Sequence, residues 1–518
     1  ILLSILIIGH LRPLCAFASK IVQQRTDIAI TFFSCGDYNK KIQGEIDRYI
    51  PNNRAGSNIR WVQMQLVNVG GQGFDVFQLM PVIFNQFPDY FRRLVACESV
   101  QCQATGTTFP TIISPTAAAI DFFLLPVLLA IRAVTGKTVP VLAWDSSAAF
   151  ATARLFGSEE LGGLGDVAAK ANLLTKATGR EIGETIHELS NPTKGELVVL
   201  PGMPIQYDYE WFPQETRRSD AHIAGYKWVH RLTFSFNCQS DGIICTSSSA
   251  YEPEAIAVLR KWFASSGNRE LYVIGPLVPP RRLSDSAKSF ELEGSENGNE
   301  CQLFMDKILG EHGDKSLIYI SFGSMWWPKD EYLWIFVDVL LELRFPFIIS
   351  VASPKANLIT EVTQKVKESG TGFISKWAPQ QTILNHPVTG WVLTHGGQNT
   401  IIETLAQGIP LIAWPISLDQ PANAAYLTLT LDVAFELIQV RTGESGLRPL
   451  YRGVQATGTP DAVASEARHV LQSARGEEGK KKRRNAEVLR DNLRKAWEED
   501  GEGMINLRRF LRDSSKKE

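Results

Sequence analysis

The feature that most constrains this chain is an alternation, sustained over most of its length, of short apolar runs with longer amphipathic stretches. A short apolar run bounded by turn residues reads as a strand buried on both faces, and such strands belong to parallel sheets whose crossovers are helices. Candidate strands in the first half are Leu2–Ile8, Ile28–Phe33, Ile59–Leu66, Val139–Trp144, Gly242–Cys245 and Leu271–Ile274. A second set comprises Ser316–Phe322, Pro346–Val351, Gly372–Ile374, Gly390–Thr394 and Leu411–Ala413. Between the sets, Pro279–Glu300 is rich in Ser, Glu, Gly and Asn, a composition that cannot bury a core. With 518 residues the chain exceeds one comfortable core. The prediction is an α/β protein of two doubly wound, Rossmann-like domains: residues 1–278, a linker at 279–300, and residues 301–480. The basic run Lys480–Arg484 straddles the start of the remaining segment, 481–518, which continues as a helix pattern whose cations read as a solvated face.

Composition excludes several classes. A formal net charge of −2 gives no electrostatic reason for a nucleic-acid partner. Phe122–Ile131 is too short to span a bilayer and reads as a buried helix, so no stable membrane insertion is expected. The run Ile1–Ile8 followed by Ala16-Phe17-Ala18 mimics a signal peptide, but no basic residue precedes it and a buried first strand explains the same residues. Seven scattered cysteines with no C-x-x-C pair fit a reducing, cytoplasmic setting. Gly163-x-Gly165-x-x-Ala168 matches a dinucleotide fingerprint, but no strand precedes it.

The segment Trp377–Gln420 carries the most chemistry. Gly390–Thr394 reads as a strand, and His395-Gly396-Gly397-Gln398-Asn399-Thr400 as a glycine-rich turn opening a helix. Such a turn aims unpaired backbone N–H groups and a helix N-terminus at one point, where an anion is stabilised. His395 and Thr400 add side-chain donors, and Glu403 can accept both hydroxyls of a ribose. Trp377 offers an aromatic face to a base, and Asp419-Gln420 supplies neighbouring acceptor and donor groups for sugar hydroxyls.

Trp377, Ala378, Pro379, Gln380, His386, Gly390, Thr394-His395, Gly397, Asn399, Glu403, Gly408, Pro410, Pro415, Asp419 and Gln420 together resemble the signature box of the family 1 UDP-glycosyltransferases. The resemblance implies a GT-B fold, two Rossmann-like domains facing across a cleft, with the last helix crossing back to the first domain. It further implies that Trp377 stacks on uracil, with Ala378 and Gln380 beside the nucleoside, and that Glu403 holds the ribose. His395, Gly397, Asn399 and Thr400 would hold the diphosphate, and Asp419 and Gln420 the sugar. Ser316–Ser324 is similar to the family's first donor-domain strand and loop, with Ser324 as a further contact. A final Gln in the box accompanies glucose donors in this family. Two positions depart from the plant pattern: Gln398 replaces Trp and Thr400 replaces Ser.

A transfer to a hydroxyl needs a base. His10 follows the first strand directly, in Gly9-His10-Leu11-Arg12-Pro13, where wound sheets keep their ligands. Its second nitrogen calls for a carboxylate, and Asp145, ending Val139–Trp144, emerges on the same sheet edge. Both also match the family's base and its orienting Asp. The alternatives are a helix-capping His10 and an N-capping Asp145. No D-x-D motif or ligand cluster is present, so the expectation is inverting, metal-independent transfer with a UDP-sugar as co-substrate and no cofactor. The acceptor pocket is expected around Gly70–Phe91 and Gln206–Phe212, with Phe74, Phe77, Phe84, Phe87 and Trp211 among its aromatics, which suits a small lipophilic or phenolic acceptor. The competing functions are a non-catalytic UDP-sugar-binding protein and a UDP-sugar epimerase or hydrolase of the same fold.

Overall fold

The computed structural model describes residues 1–4, 8–35, 39–50, 58–64, 80–215, 232–279 and 285–515. The chain forms two compact units: Ile1–Asn191 with Arg218–Val278 and Lys495–Glu518, and Pro192–Arg217 with Pro279–Arg494.

The first unit is built on seven strands: β1 (Leu2–Leu3), β2 (Ile30–Ser34), β3 (Ile59–Gln63), β4 (Ala118–Asp121), β5 (Val141–Asp145), β6 (Gly242–Cys245) and β7 (Glu270–Val273). They pair in parallel in the order β7-β6-β5-β4-β1-β2-β3. The order reverses between β1 and β4, so the carboxyl ends of these two strands form the switch-point crevice of an α/β sheet. The helix Ile8–Gln24 follows β1 and buries Leu11, Leu14, Phe17 and Ile21 against the sheet. Ala16-Phe17-Ala18 is thus the packed face of a helix. The helix Glu502–Ser514 adds Leu507, Phe510 and Leu511 to the same core, each burial worth ~1.5–3 kcal/mol.

The second unit is built on a six-stranded sheet: β8 (Leu317–Ser321), β9 (Phe347–Ser350), β10 (Gly372–Ser375), β11 (Thr389–Thr394), β12 (Leu411–Ala413) and β13 (Ala434–Glu436). All pair in parallel in the order β10-β9-β8-β11-β12-β13. The switch point lies between β8 and β11, which places the turns after Ser321 and Thr394 side by side. Two α/β sheets of this kind are the architecture the sequence pattern predicts.

The structure differs from the predicted boundaries at three places. The stretch 279–300 is not an exposed coil: Asp285–Glu293 is helical, and the buried Glu291 carboxylate accepts the backbone N–H groups of Gln381 (3.0 Å) and Thr382 (2.8 Å). Polar composition hid this helix because its anchor is a tertiary cap on the first turn of Gln380–Asn385. The excursion Pro192–Arg217 belongs to the second unit, where Glu210 accepts the Tyr451 N–H at 2.7 Å and Gln214 donates to the Val440 carbonyl at 2.9 Å. The return to the first unit occurs at Lys495 rather than 481. Before it, the helix Glu477–Lys495 is tied to the second unit by Lys482 on Asp432 (2.7 Å) and Arg483 on the Gly390 carbonyl (2.8 Å), so part of the basic run is structural.

Candidate active site

Two groups of side chains gather at the two switch points. In the first unit, His10 lies in the opening turn of Ile8–Gln24. The Trp144 indole N–H donates to its carbonyl at 3.3 Å, which pins that turn to β5. The ring lies 5.4 Å from the Phe123 ring. Its Nδ1 is 2.8 Å from Oδ2 of Asp121, a carboxylate with no exposed surface at the end of β4. The same Oδ2 accepts the Ser4 hydroxyl at 3.0 Å, and Oδ1 accepts the Phe123 backbone N–H at 3.2 Å. A carboxylate on Nδ1 makes that nitrogen the donor and leaves Nε2 as the basic atom.

This corrects the partner named from sequence. Asp145, also fully buried, holds its own turn: Oδ1 accepts the Ser147 N–H (3.0 Å) and hydroxyl (2.5 Å), and Oδ2 accepts the Thr152 hydroxyl (2.5 Å). Burial pushes its carboxyl up, and these hydrogen bonds work against that. Asp145 therefore anchors the entry to Ala149–Phe156, close to the capping alternative. The N–H groups of that helix's first turn are satisfied instead by the distant Glu252, whose two oxygens accept those of Ala149 and Phe150 at 2.7 and 3.1 Å; burial pushes its carboxyl up to about 7. The physical reason for the correction is strand order. β4 lies between β1 and β5, so its end is one strand spacing closer to His10. Sequence reading missed β4 because Thr116-Ala117-Ala118-Ala119-Ile120 has little strand character. The available signal was an apolar run ended by Asp121 and bracketed by Pro115 and Pro126.

In the second unit, β11 ends in the glycine-rich turn. Gly396 takes φ +88°, open to glycine at little cost, and Gly397 precedes the helix Gln398–Leu405. A Cβ on Gly397 would lie 2.6 Å from His395 Nε2, so only glycine lets the turn close on that ring. His395 is buried, its Nδ1 lies 3.3 Å from the Thr394 hydroxyl, and desolvation pushes its pKa down to about 4. It is a neutral imidazole at pH 7, able to donate one hydrogen bond but carrying no charge. Asn399 and Thr400, both half-buried, occupy the first turn of the helix.

The neighbouring residues converge on this turn. Glu403, buried, receives the side-chain amides of Gln380 and Gln381 on Oε2, each at 2.6 Å, and Gln380 in turn accepts the Tyr319 hydroxyl at 3.3 Å. Ala378 is packed into the core beside Tyr319 and Ile383, whereas Trp377 is 37% exposed. Ser324 is exposed in the turn after β8. Gln420 accepts the Ile416 and Ser417 N–H groups at 3.0 Å through Oε1, which shapes the loop carrying Asp419. Asn423 was not singled out from sequence, yet it donates to both the Gly396 carbonyl (2.8 Å) and Asp419 Oδ2 (2.9 Å). It joins the anion turn to the Asp419-Gln420 pair. Gln398 is buried with both amide atoms lacking a hydrogen-bond partner.

The aromatic residues named for an acceptor divide differently. Phe87 has no exposed surface and packs on Phe33 and Phe91, so it fills core rather than lining an opening. Trp211 is buried within the second unit. Phe84 is half-buried on the helix Met80–Val95, and Phe74 and Phe77 lie outside the described residues. Among the described residues no group of three or more His, Cys, Asp or Glu is gathered as a metal would require, and no helix is long and apolar enough to cross a membrane.

Residues 294–442 match the family model for UDP-glucoronosyl and UDP-glucosyl transferases. The chain is 27% identical to UDP-glycosyltransferase eriJ of Hericium erinaceus over 97% of its own length and 96% of that protein. It is 28% identical to UDP-glycosyltransferase 74C1 of Arabidopsis thaliana over 62% of its own length and 65% of that protein. Among solved structures, Phytolacca americana UGT2, complexed with UDP-2fluoro-glucose and pterostilbene, superimposes with a TM-score of 0.68 at 20% identity, covering 99% of both chains. That likeness establishes the fold, GT-B. The glycine-rich turn at the β8–β11 switch point, the two wound sheets and these matches agree: the chain is similar to the family 1 UDP-glycosyltransferases, in fold over its whole length and in the family's own sequence pattern over residues 294–442.

Proposed function

We propose that the chain transfers a hexose, glucose, from UDP to a hydroxyl of a small lipophilic acceptor, inverting the anomeric centre. His10 Nε2 takes the acceptor proton as the acceptor oxygen bonds to the anomeric carbon. The bond from that carbon to the diphosphate breaks, and UDP leaves with the electron pair. Asp121, in the role the sequence assigned to Asp145, holds the ring tautomer and stabilises the imidazolium that forms. Charge growing on UDP meets the backbone N–H groups at the start of Gln398–Leu405, with His395 and Thr400 as side-chain donors, and needs no metal or cofactor in this scheme.

The observation that carries the proposal is the 2.8 Å contact between His10 and the buried Asp121 at the first switch point. A base oriented by a carboxylate serves proton transfer, and a binding protein has no use for one. Glucose rests on Gln420, and a lipophilic acceptor on the half-buried Phe123 beside His10. A cytoplasmic setting goes with the seven free thiols. The test is incubation of the purified chain with UDP-glucose, UDP-galactose and a panel of sterols, terpenoids and phenolics, following UDP release and product mass. Glucosylated product with inverted configuration supports the proposal. UDP binding without any product would leave a binding protein, and UDP release without a glycoside would leave a hydrolase.

A further inference from the structure

We infer that Ser4 is a positioning residue of the proton-transfer pair, fixing the Asp121 carboxylate that orients His10. The inference rests on the assignment of His10 and Asp121 above.

Ser4 follows β1 and is buried. In the parallel pairing of β1 with β4, Leu3 stands opposite Ile120. One step further along the register, Ser4 stands opposite Asp121 on the same face of the sheet. Its hydroxyl lies 3.0 Å from Asp121 Oδ2, and it must be the donor there, since a carboxylate only accepts. That oxygen is the one facing His10 Nδ1.

The geometry has a mechanical consequence. The terminal torsion of an aspartate is broad, so a contact to one ring nitrogen leaves the carboxylate plane free to swing. Here the plane is fixed at both oxygens, by the Phe123 N–H on Oδ1 and by Ser4 and His10 on Oδ2. The Phe123 N–H is set by the turn after β4, whereas the Ser4 hydroxyl arrives from the neighbouring strand. Ser4 therefore keys the carboxylate to the strand that leads into His10's own helix, so that base and orienting group move as one body. A support of this kind alters the reacting geometry without touching either substrate.

The test uses the full-length protein and four variants, Ser4→Ala, Ser4→Val, Ser4→Thr and Asp121→Asn, with initial rates from UDP release and UDP affinity from calorimetry. Ser4→Ala and Ser4→Val are expected to lower kcat roughly five- to tenfold, the net effect of losing one ordinary hydrogen bond. KM for both substrates and UDP affinity stay within about twofold. Ser4→Thr, which restores the hydroxyl on a side chain shaped like Val, returns kcat to near wild type. Wild-type kcat in both Ala and Val variants would overturn the inference, as would a loss that Thr fails to rescue. Should Val not fold, the Ala and Thr pair decides. Asp121→Asn separates the two levels: if it turns over normally the pair itself is misassigned, whereas an inactive Asp121→Asn beside an unaffected Ser4→Ala removes Ser4 alone.

Discussion

Each unit sets one histidine at the carboxyl edge of its sheet, and the two are placed in opposite surroundings. His10 is partly open, with 18% of its side chain exposed, and bonded to a buried carboxylate. His395 is buried, bonded to the Thr394 hydroxyl and the Ser321 backbone, and pushed down to about 4. A carboxylate partner prepares an imidazole to accept a proton and bear the resulting charge. A dry pocket of neutral groups and glycine backbone keeps it uncharged, fit only to donate. In the proposed scheme the same residue type would serve as a base in one sheet and as a neutral donor in the other, and the difference lies in whether the adjacent strand ends in Asp or in Ser.

The comparison breaks most sharply at His10. His10→Ala should lower kcat by about 10³-fold or more while UDP affinity is unchanged, measured by product formation and calorimetry. Normal turnover in that variant would end the base assignment. Asp121→Asn should cost roughly 10²- to 10³-fold in kcat, through loss of the tautomer. Asp145→Asn should instead show in denaturant unfolding, at roughly 1–3 kcal/mol, with kcat nearly kept. Were the Asp145 variant the inactive one, the strand-order correction would be reversed.

On the second sheet, Gly397→Ala should raise the donor KM about tenfold, because its Cβ would press on His395, with the acceptor KM unaffected. An unchanged donor KM would show that the ring is not part of the donor contact. The smallest effect is a pH signature. His395 titrates near 4 in the folded chain against about 6.5 unfolded, so the unfolded state binds more protons between those values. Stability from this residue is complete above pH 6.5 and is lost as pH falls toward 4. Glu252 and Glu466, both raised to about 7 by burial, act in the opposite sense, favouring the folded state at low pH and losing that contribution as pH rises through 7. The informative quantity is accordingly the difference between wild type and His395→Asn: the variant should lose less stability on acidification from 6.5 to 4, and equal losses would contradict the buried neutral ring.

The donor turn was legible in the sequence for a simple reason: every group from Trp377 to Gln420 sits in one contiguous segment whose strand and helix are locally marked. The strands Gly242–Cys245 and Leu411–Ala413 were legible likewise, as compact apolar runs closed by turns. The base pair is not local. His10 and Asp121 are 111 residues apart, and which strand end meets His10 depends on counting every strand between them. Omitting the alanine-rich β4 shifted that count by one and promoted Asp145. Asn423 escaped notice because its importance lies in a hydrogen bond to the Gly396 carbonyl, 27 residues away, and the helix Asp285–Glu293 because its stabilising contact is made with residues about 90 positions later.

The chain passes between its two units at 191/192, 217/218, 278/279 and 494/495. During synthesis, therefore, the first unit cannot be finished when its own strands have emerged: Leu507, Phe510 and Leu511, which close its core, follow the second unit in the chain. The excursion carrying Tyr209, Glu210 and Gln214 must likewise wait for Pro449, Tyr451 and Val440. A cut at 278, the boundary that composition suggests, would leave one fragment with an open hydrophobic face and the other without the segment that ties its loops. Neither half holds a full set of its own packing partners, so each unit is finished by chain that lies beyond the other.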